Sequence, residues 1–318
     1  MNSFEGKIAV VTGGGTGMGR ALVRQLARAG CHVAACDVIT ENLDETMSLA
    51  REESPGVQIS DHYCDVGVES DIKKFANEVR EVHDTKHINL LFNNAGIGGG
   101  GSFVVGDRDE WERTFAICWS GVYWNTREFL PLLLESDEGH IINTSSVNGF
   151  WASLGPGISH TSYSAAKFAV KGFSESLITD LRLNAPHINV SVVMPGHIGT
   201  SIAINSGRIL GNDALGGMTD KALEEVKQRW IDAGMPVQNE SLEQIRERML
   251  ESRQSFRDNA PTSADQAAEI ILTGVREKRW RILVGMDAHL LDARVRQDPE
   301  TVYDETFSMQ MVRQNSGS

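Results

Sequence analysis

The chain has 318 residues, 41% hydrophobic and 23% charged, enough apolar material for one large domain or two ordinary ones. Its 30 Lys and Arg against 43 Asp and Glu leave a formal charge of −13, which repels phosphate backbones and anionic lipid and excludes nucleic acid and membrane surfaces as expected partners. No apolar run approaches the roughly 18 residues of a spanning helix, no signal-like run precedes residue 8, and the four cysteines form no CxxC pair or metal-ligand cluster; a soluble, cytoplasmic, metal-free protein is expected.

In chain order, short apolar runs predict strands at 7–11, 32–36, 58–63, 88–93, 140–144 and 189–194. Amphipathic segments at 20–29, 71–83, 111–134 and 163–183 predict helices between them. Strands separated by such helices pair in parallel, because a parallel neighbour requires a crossover. The expected fold is a doubly wound parallel α/β sheet with helices on both faces. The pattern changes after Thr200. Residues 201–259 carry no clear strand but two amphipathic stretches, Leu223/Val226/Trp230 and Leu242/Ile245/Met249. Ser263 with Gln266 makes a capping-box start for a helix to about Arg276, and a last strand follows at 281–284. The chain therefore reads as one domain over 1–298 with a helical insertion at 201–259, followed by a polar, mobile tail at 299–318.

Directly after the first strand, Thr12-Gly13-Gly14-Gly15-Thr16-Gly17-Met18-Gly19 opens onto a helix. Glycines there permit a sharp turn and let backbone amides approach a pyrophosphate at the helix N-terminus. The second strand ends in Asp37, 20 positions beyond Gly17, the spacing at which a carboxylate meets the adenosine ribose. It accepts hydrogen bonds from ribose hydroxyls and repels a 2′-phosphate. No Lys or Arg at Gly14, Gly15 or 38–40 reverses that preference. The turn predicts a Rossmann-like dinucleotide site, with NAD favoured over NADP.

Further elements follow. Asp65-Val66 lie after the third strand, Asn93-Asn94-Ala95-Gly96 end the fourth, and Ser145-Ser146 end the fifth. Tyr163-Ser164-Ala165-Ala166-Lys167 open the next helix, and Pro195-Gly196 with Thr200 follow the sixth strand. With the turn, this set resembles the short-chain dehydrogenase/reductase family from about Lys7 to Gly285. The resemblance implies phosphate contacts at Gly13, Gly15, Thr16, Gly17, Met18 and Gly19, and adenine contacts at Asp65 and Val66. It places Asn94, Ala95 and Gly96 along the cofactor, and Pro195, Gly196, Ile198 and Thr200 around the nicotinamide. Ser146, Tyr163 and Lys167 become the catalytic set, the last two also touching the cofactor. A homodimer or homotetramer pairing helices 111–134 and 163–183 is implied as well.

The chemistry also follows from the residues. Tyr163 and Lys167, four apart, share a helix face. A free phenol titrates near about 10, and a neighbouring ammonium with a positive nicotinamide brings it towards neutral pH. Tyr163 then exchanges the alcohol proton while hydride passes between that carbon and NAD, and Ser146 holds the substrate oxygen. An oxidoreductase acting on a secondary alcohol or ketone is expected. A same-fold epimerase or imine reductase, and a non-catalytic NAD sensor, are the alternatives.

Two features depart from the family pattern. Cys118 stands where the family has a catalytic Asn, reading as a small packed thiol. The Ser146–Tyr163 spacing is 17 positions, longer than usual, and carries Phe150, Trp151 and Leu154. Those side chains either border a bulky, apolar (aromatic, alicyclic or steroid-like) substrate or pack in the core. His160 and His197 read as loop histidines near the site. The Leu223/Val226/Trp230 face is expected to cover the pocket as a lid, or to pack on a neighbouring subunit.

Overall fold

The computed structural model describes residues 1–155, 158–211, 219–232, 235–304 and 307. Its strands are β1 (Ile8–Thr12), β2 (His32–Asp37), β3 (Ile59–Tyr63), β4 (Leu90–Asn93), β5 (Gly139–Thr144), β6 (Ile188–Pro195), the short β7 (Ile198–Gly199) and β8 (Thr262–Ser263), and β9 (Arg281–Val284). The helices are α1 (Gly17–Arg28), α2 (Thr40–Glu53), α3 (Glu69–Val82), α4 (Arg108–Phe115), α5 (Gly121–Leu134), α6 (Thr161–Asn184), α7 (Ile202–Ile209), α8 (Asp220–Asp232), α9 (Leu242–Asp258), α10 (Ala264–Arg276) and α11 (Met286–Gln297).

Seven strands form one sheet in the order β3-β2-β1-β4-β5-β6-β9, every neighbour parallel. β1 is buried at every position, as a strand covered on both faces must be. Its alternate side chains enter different cores. Ala9 and Val11 join Leu22, Leu26, Met47 and Ile271 of α1, α2 and α10, whereas Ile8 and Val10 join Phe75, Val79 and Phe129 of α3 and α5. The expected doubly wound single domain is therefore the observed one. Strand order reverses between β1 and β4, so a crevice opens at their carboxyl ends.

Four local expectations change. The helix expected at 111–134 is interrupted: α4 passes through a π-helical turn, Ala116–Ser120, into α5. The Leu223/Val226/Trp230 face packs on Ile245, Leu242 and Met249 of α9 rather than over the crevice. Each helix of this hairpin thus satisfies the other's apolar stripe. Phe150 and Trp151 pack with Ala288 and Leu291 of α11, so these two rings belong to a core and not to a substrate border. The tail beyond Asp298 is not uniformly polar and free, because Val302 and Phe307 are buried in that same cluster. Among the described residues no helix is long and apolar enough to cross a membrane.

Candidate active site

The crevice between β1 and β4 holds about 800 Å³ of space, open solvent included. Gly13, Thr16, Gly17, Met18 and Gly19 line one part of it, with Asp37, Asp65, Val66, Asn94, Ala95, Gly96 and Thr200 completing the expected set found there. Gly13 (φ +67°) and Gly17 (φ +54°) hold left-handed backbone, which glycine alone adopts cheaply. A Cβ on Gly13 would lie 2.8 Å from the Ala95 Cα, and one on Gly19 would overlap the Gly13 carbonyl. α1 begins here with no acidic residue in its first turn and no side-chain cap at Thr16. Its first amides are thus presented to an anion. This cradle fits a pyrophosphate.

Asp37 is held in place by two backbone amides: Gly15 donates to Oδ2 at 2.9 Å and Ile39 to Oδ1 at 3.0 Å. Gly15 does not line the crevice itself; it anchors the carboxylate that does. Across the crevice, Thr12 Oγ1 accepts from the Asn94 and Ala95 amides at 3.0 and 3.1 Å, tying the end of β4 to the glycine turn. Asp65 accepts from the Gly67 amide at 2.9 Å and forms an ion pair with Arg113 of α4, which also lines the crevice. Sequence reasoning missed Arg113 because no local spacing links partners 48 positions apart.

It also missed α7. Ile202, Asn205 and Ile209 line the crevice. Asn205 Nδ2 donates to Thr16 Oγ1 at 3.2 Å, and Ser206 Oγ accepts from the Gly98 amide at 2.8 Å. The helix is thereby tied to both the phosphate turn and the segment after β4.

Ser146, Tyr163 and Lys167 come together beside this crevice, with Lys167 adjoining it through Gly96. A Cβ on Gly96 would lie 3.5 Å from Lys167 Nζ and 3.8 Å from Cys118 Sγ. Two bonds lock the end of β5 to α6: Lys167 Nζ donates to the Thr144 carbonyl at 2.8 Å, and Ser145 Oγ donates to the Lys167 carbonyl at 2.7 Å. Lys167 is only 2% exposed, and Nζ lies 5.3 Å from the Tyr163 ring centroid. Burial pushes the Tyr163 phenol above its ordinary range; the Cys118 sulfur adds to this, and the hydrogen bond with Ser146 opposes it. Burial also lowers the Lys167 ammonium, against the opposite pull of Cys118. Cys118, fully buried in the π turn, donates from Sγ to the Ile97 carbonyl at 3.3 Å.

Other expected residues fall elsewhere. Pro195 ends β6, and the Gly196 amide donates to the Val284 carbonyl at 2.9 Å, facing β9. Ile198 is buried in the core with α10. None of these three lines the crevice. His197 is anchored by its amide to Asp287 at 2.6 Å and by Nε2 to the Phe256 carbonyl at 2.7 Å. His160 instead lies against Tyr163, ring centroids 4.5 Å apart and planes tilted by 32°, and burial brings its imidazole down to about 4. That shift favours the neutral imidazole.

A family model described as short chain dehydrogenase matches residues 7–208. The chain is 31% identical to SadH of Mycobacterium tuberculosis over 296 residues, 93% of this chain and 92% of that protein. It is 34% identical to epidermal retinol dehydrogenase 2 of Mus musculus over 199 residues, 62% of each chain. Among solved structures, a short-chain dehydrogenase/reductase from Burkholderia phymatum in complex with NAD superimposes with a TM-score of 0.74 at 27% identity, covering 95% of this chain and 96% of that one. Solved structures in this group hold NAD in some cases and NADP in others.

Proposed function

Since the chain belongs to the short-chain dehydrogenase/reductase family, we propose that it is an NAD-dependent oxidoreductase that transfers a hydride between the cofactor and a secondary alcohol or ketone. The observation that carries this reading is the convergence of Ser146, Tyr163 and Lys167 at the end of β5, beside a cradle no side chain could occupy. Asp37 supports NAD over NADP. Its carboxylate is fixed by two amides and faces the crevice, where it favours ribose hydroxyls and disfavours a 2′-phosphate.

A bound NAD would supply the hydride acceptor or donor and, when oxidised, a positive charge. The chain's own groups handle the proton. Ser146 Oγ holds the substrate oxygen, and Tyr163 Oη gives a proton to it during ketone reduction or takes one during alcohol oxidation. Burial raises the Tyr163 phenol and so favours the protonated form that reduction requires. Lys167, in its ammonium form, favours the phenolate in the reverse direction.

The substrate reading is a bulky, apolar alcohol. The rings of Phe150 and Trp151 no longer support it, but Phe103, Val104 and Val105 do. They stand exposed on the segment whose neighbours Gly100 and Gly101 accept hydrogen bonds from the Ser162 and Thr161 amides at the start of α6. Free, buried thiols at all four cysteines fit a cytoplasmic location, and a homodimer or homotetramer is the assembly proposed.

The test is NADH absorbance on incubating the protein with NAD⁺ or NADP⁺ and 2-propanol, cyclohexanol, 1-phenylethanol or a 3-hydroxysteroid. Reduction of NAD⁺ by the larger alcohols is expected, and Tyr163→Phe should cut turnover by about 10²–10⁴-fold while NADH still binds. Cofactor binding without turnover of any alcohol, or of the matching ketones, would replace this reading with a non-catalytic NAD sensor.

A further inference from the structure

The two stretches of surplus length, the loop after Ser146 and the chain after α11, meet in space. Trp151 stands on that loop, five positions from Ser146, yet is 1% exposed. Its indole packs with Ala288, Leu291, Val302 and Phe307, the Phe307 ring centroid 5.4 Å away. Trp151 Nε1 donates to the Val302 carbonyl at 2.8 Å, and the Ala152 amide donates to the Tyr303 hydroxyl at 3.1 Å. The Arg294 guanidinium lies 4.9 Å from the Phe307 ring centroid, holding that ring to α11.

The same loop holds Ser146 at its other end. Asn148, buried, donates through Nδ2 to the carbonyls of Trp151 and Ser153 at 3.0 and 2.7 Å. Its amide donates to Ser146 Oγ at 3.1 Å. A continuous path of hydrogen bonds therefore runs from Val302 through Trp151 and Asn148 to the hydroxyl beside Tyr163. Apart from one 3₁₀ turn, Val147–Gly149, the described part of the loop before α6 has no regular backbone structure. Such a segment takes its shape from where its side chains dock.

We propose that the C-terminal segment bearing Val302, Tyr303 and Phe307 is a clasp that positions Ser146, with Tyr303 and Phe307 as positioning residues acting through Trp151 and Asn148. This rests on Ser146 holding the substrate oxygen, as argued above. A clasp of this kind sets the angle at which the serine hydroxyl meets the substrate while leaving the phosphate cradle untouched.

The experiment uses the full-length chain with Tyr303→Phe and Phe307→Ala combined. Amide hydrogen exchange at 147–153 should quicken roughly tenfold, with the Gly13–Gly19 turn unchanged. NADH affinity, followed by its fluorescence, should stay within about twofold, because the cradle is bound separately. With the alcohol most active in the panel, kcat should fall about tenfold and KM move less than about twofold, since the serine is displaced rather than lost. Phe307→Leu, paired with wild-type Tyr303, should restore most of the turnover. Unchanged exchange at 147–153 overturns the clasp. So does quicker exchange with kcat intact in an enzyme that Ser146→Ala inactivates. If instead Ser146→Ala turns over like the parent, the reading of the site fails, and the exchange result alone decides whether the clasp holds the loop.

Discussion

Desolvation favours the protonated form of Tyr163, and the Ser146 hydrogen bond pulls the other way. That gives the pair a pH signature. In alcohol oxidation Tyr163 accepts the proton, so the rate rises with pH as the phenolate forms. Removing the bond from Ser146 takes away stabilisation of the phenolate, which raises the phenol further and moves the rising limb to higher pH. Ser146→Ala should therefore show two effects: kcat lower by about 10²–10³-fold from loss of the oxygen-holding donor, and a limb displaced towards alkali. The check is the pH profile of kcat for NAD⁺ reduction. A limb that stays in place while kcat falls would mean that the two hydroxyls are not bonded in the working enzyme. In the ketone direction the neutral phenol is the donor, so the same variant should leave the profile flat through neutral pH. Cys118 lies close enough to act on both Tyr163 and Lys167. Its hydrogen bond to the Ile97 carbonyl ties the π turn to the segment after β4.

At the scale of elements, α7 is the part of the insertion that reaches the crevice. Side-chain bonds tie it to the segment after β4, to the phosphate turn and, through Arg208, to Glu41 of α2; the one from the Gly98 amide to Ser206 Oγ is the shortest. Ser206→Ala leaves that amide without its acceptor, a loss of about 1–2 kcal/mol, and should let α7 lift from the phosphate turn. NADH release measured by stopped-flow fluorescence is then expected to quicken by roughly tenfold, with melting little changed. An unaltered release rate would mean that α7 lies over the crevice without restraining what binds there. Such a helix was not legible in the sequence. Asn205, Ser206 and Gly207 in its middle are poor helix formers, and the bonds that hold it span 108 to 189 positions. The sheet was legible because β1, β4 and β6 are near-continuous apolar runs set between amphipathic helices. α10 was legible because Ser263 and Gln266 form the capping box that the structure shows. Ser241 and Gln244 carry the same signature at the start of α9, where only the apolar stripe was read. The glycine turn and Tyr163/Lys167 are local patterns and were read in place. Trp151 was not, because an apolar ring on a loop does not reveal which side buries it. Ile198 is a similar case, being carried into the core by the short β7–β8 pairing.

At the scale of the whole molecule, one group of aromatic rings bears on the proposed assembly. Trp119 of the π turn, Tyr123 of α5 and Phe173 of α6 form a cluster, with ring centroids 5.5 Å apart for Trp119–Phe173 and 6.4 Å for Tyr123–Phe173. Tyr123 is 43% exposed, and Leu134 of α5 and Phe168 of α6 are exposed as well. Exposed apolar side chains on these helices are consistent with the proposed assembly, since these are the helices through which the sequence resemblance pairs subunits. The chain's charge of −13 opposes that pairing, because two like-charged bodies repel until salt screens them. Both terms enter the prediction. Light scattering at micromolar concentration should find a dimer or tetramer, and the association should strengthen as salt rises from low to physiological levels, where the Debye length is about 8 Å. Tyr123→Glu, which adds a further negative charge to each face of the interface, should shift the protein towards monomer while far-UV circular dichroism stays unchanged. A monomeric parent at physiological salt would refute the pairing, and an oligomer that Tyr123→Glu leaves intact would move it to another face of the molecule.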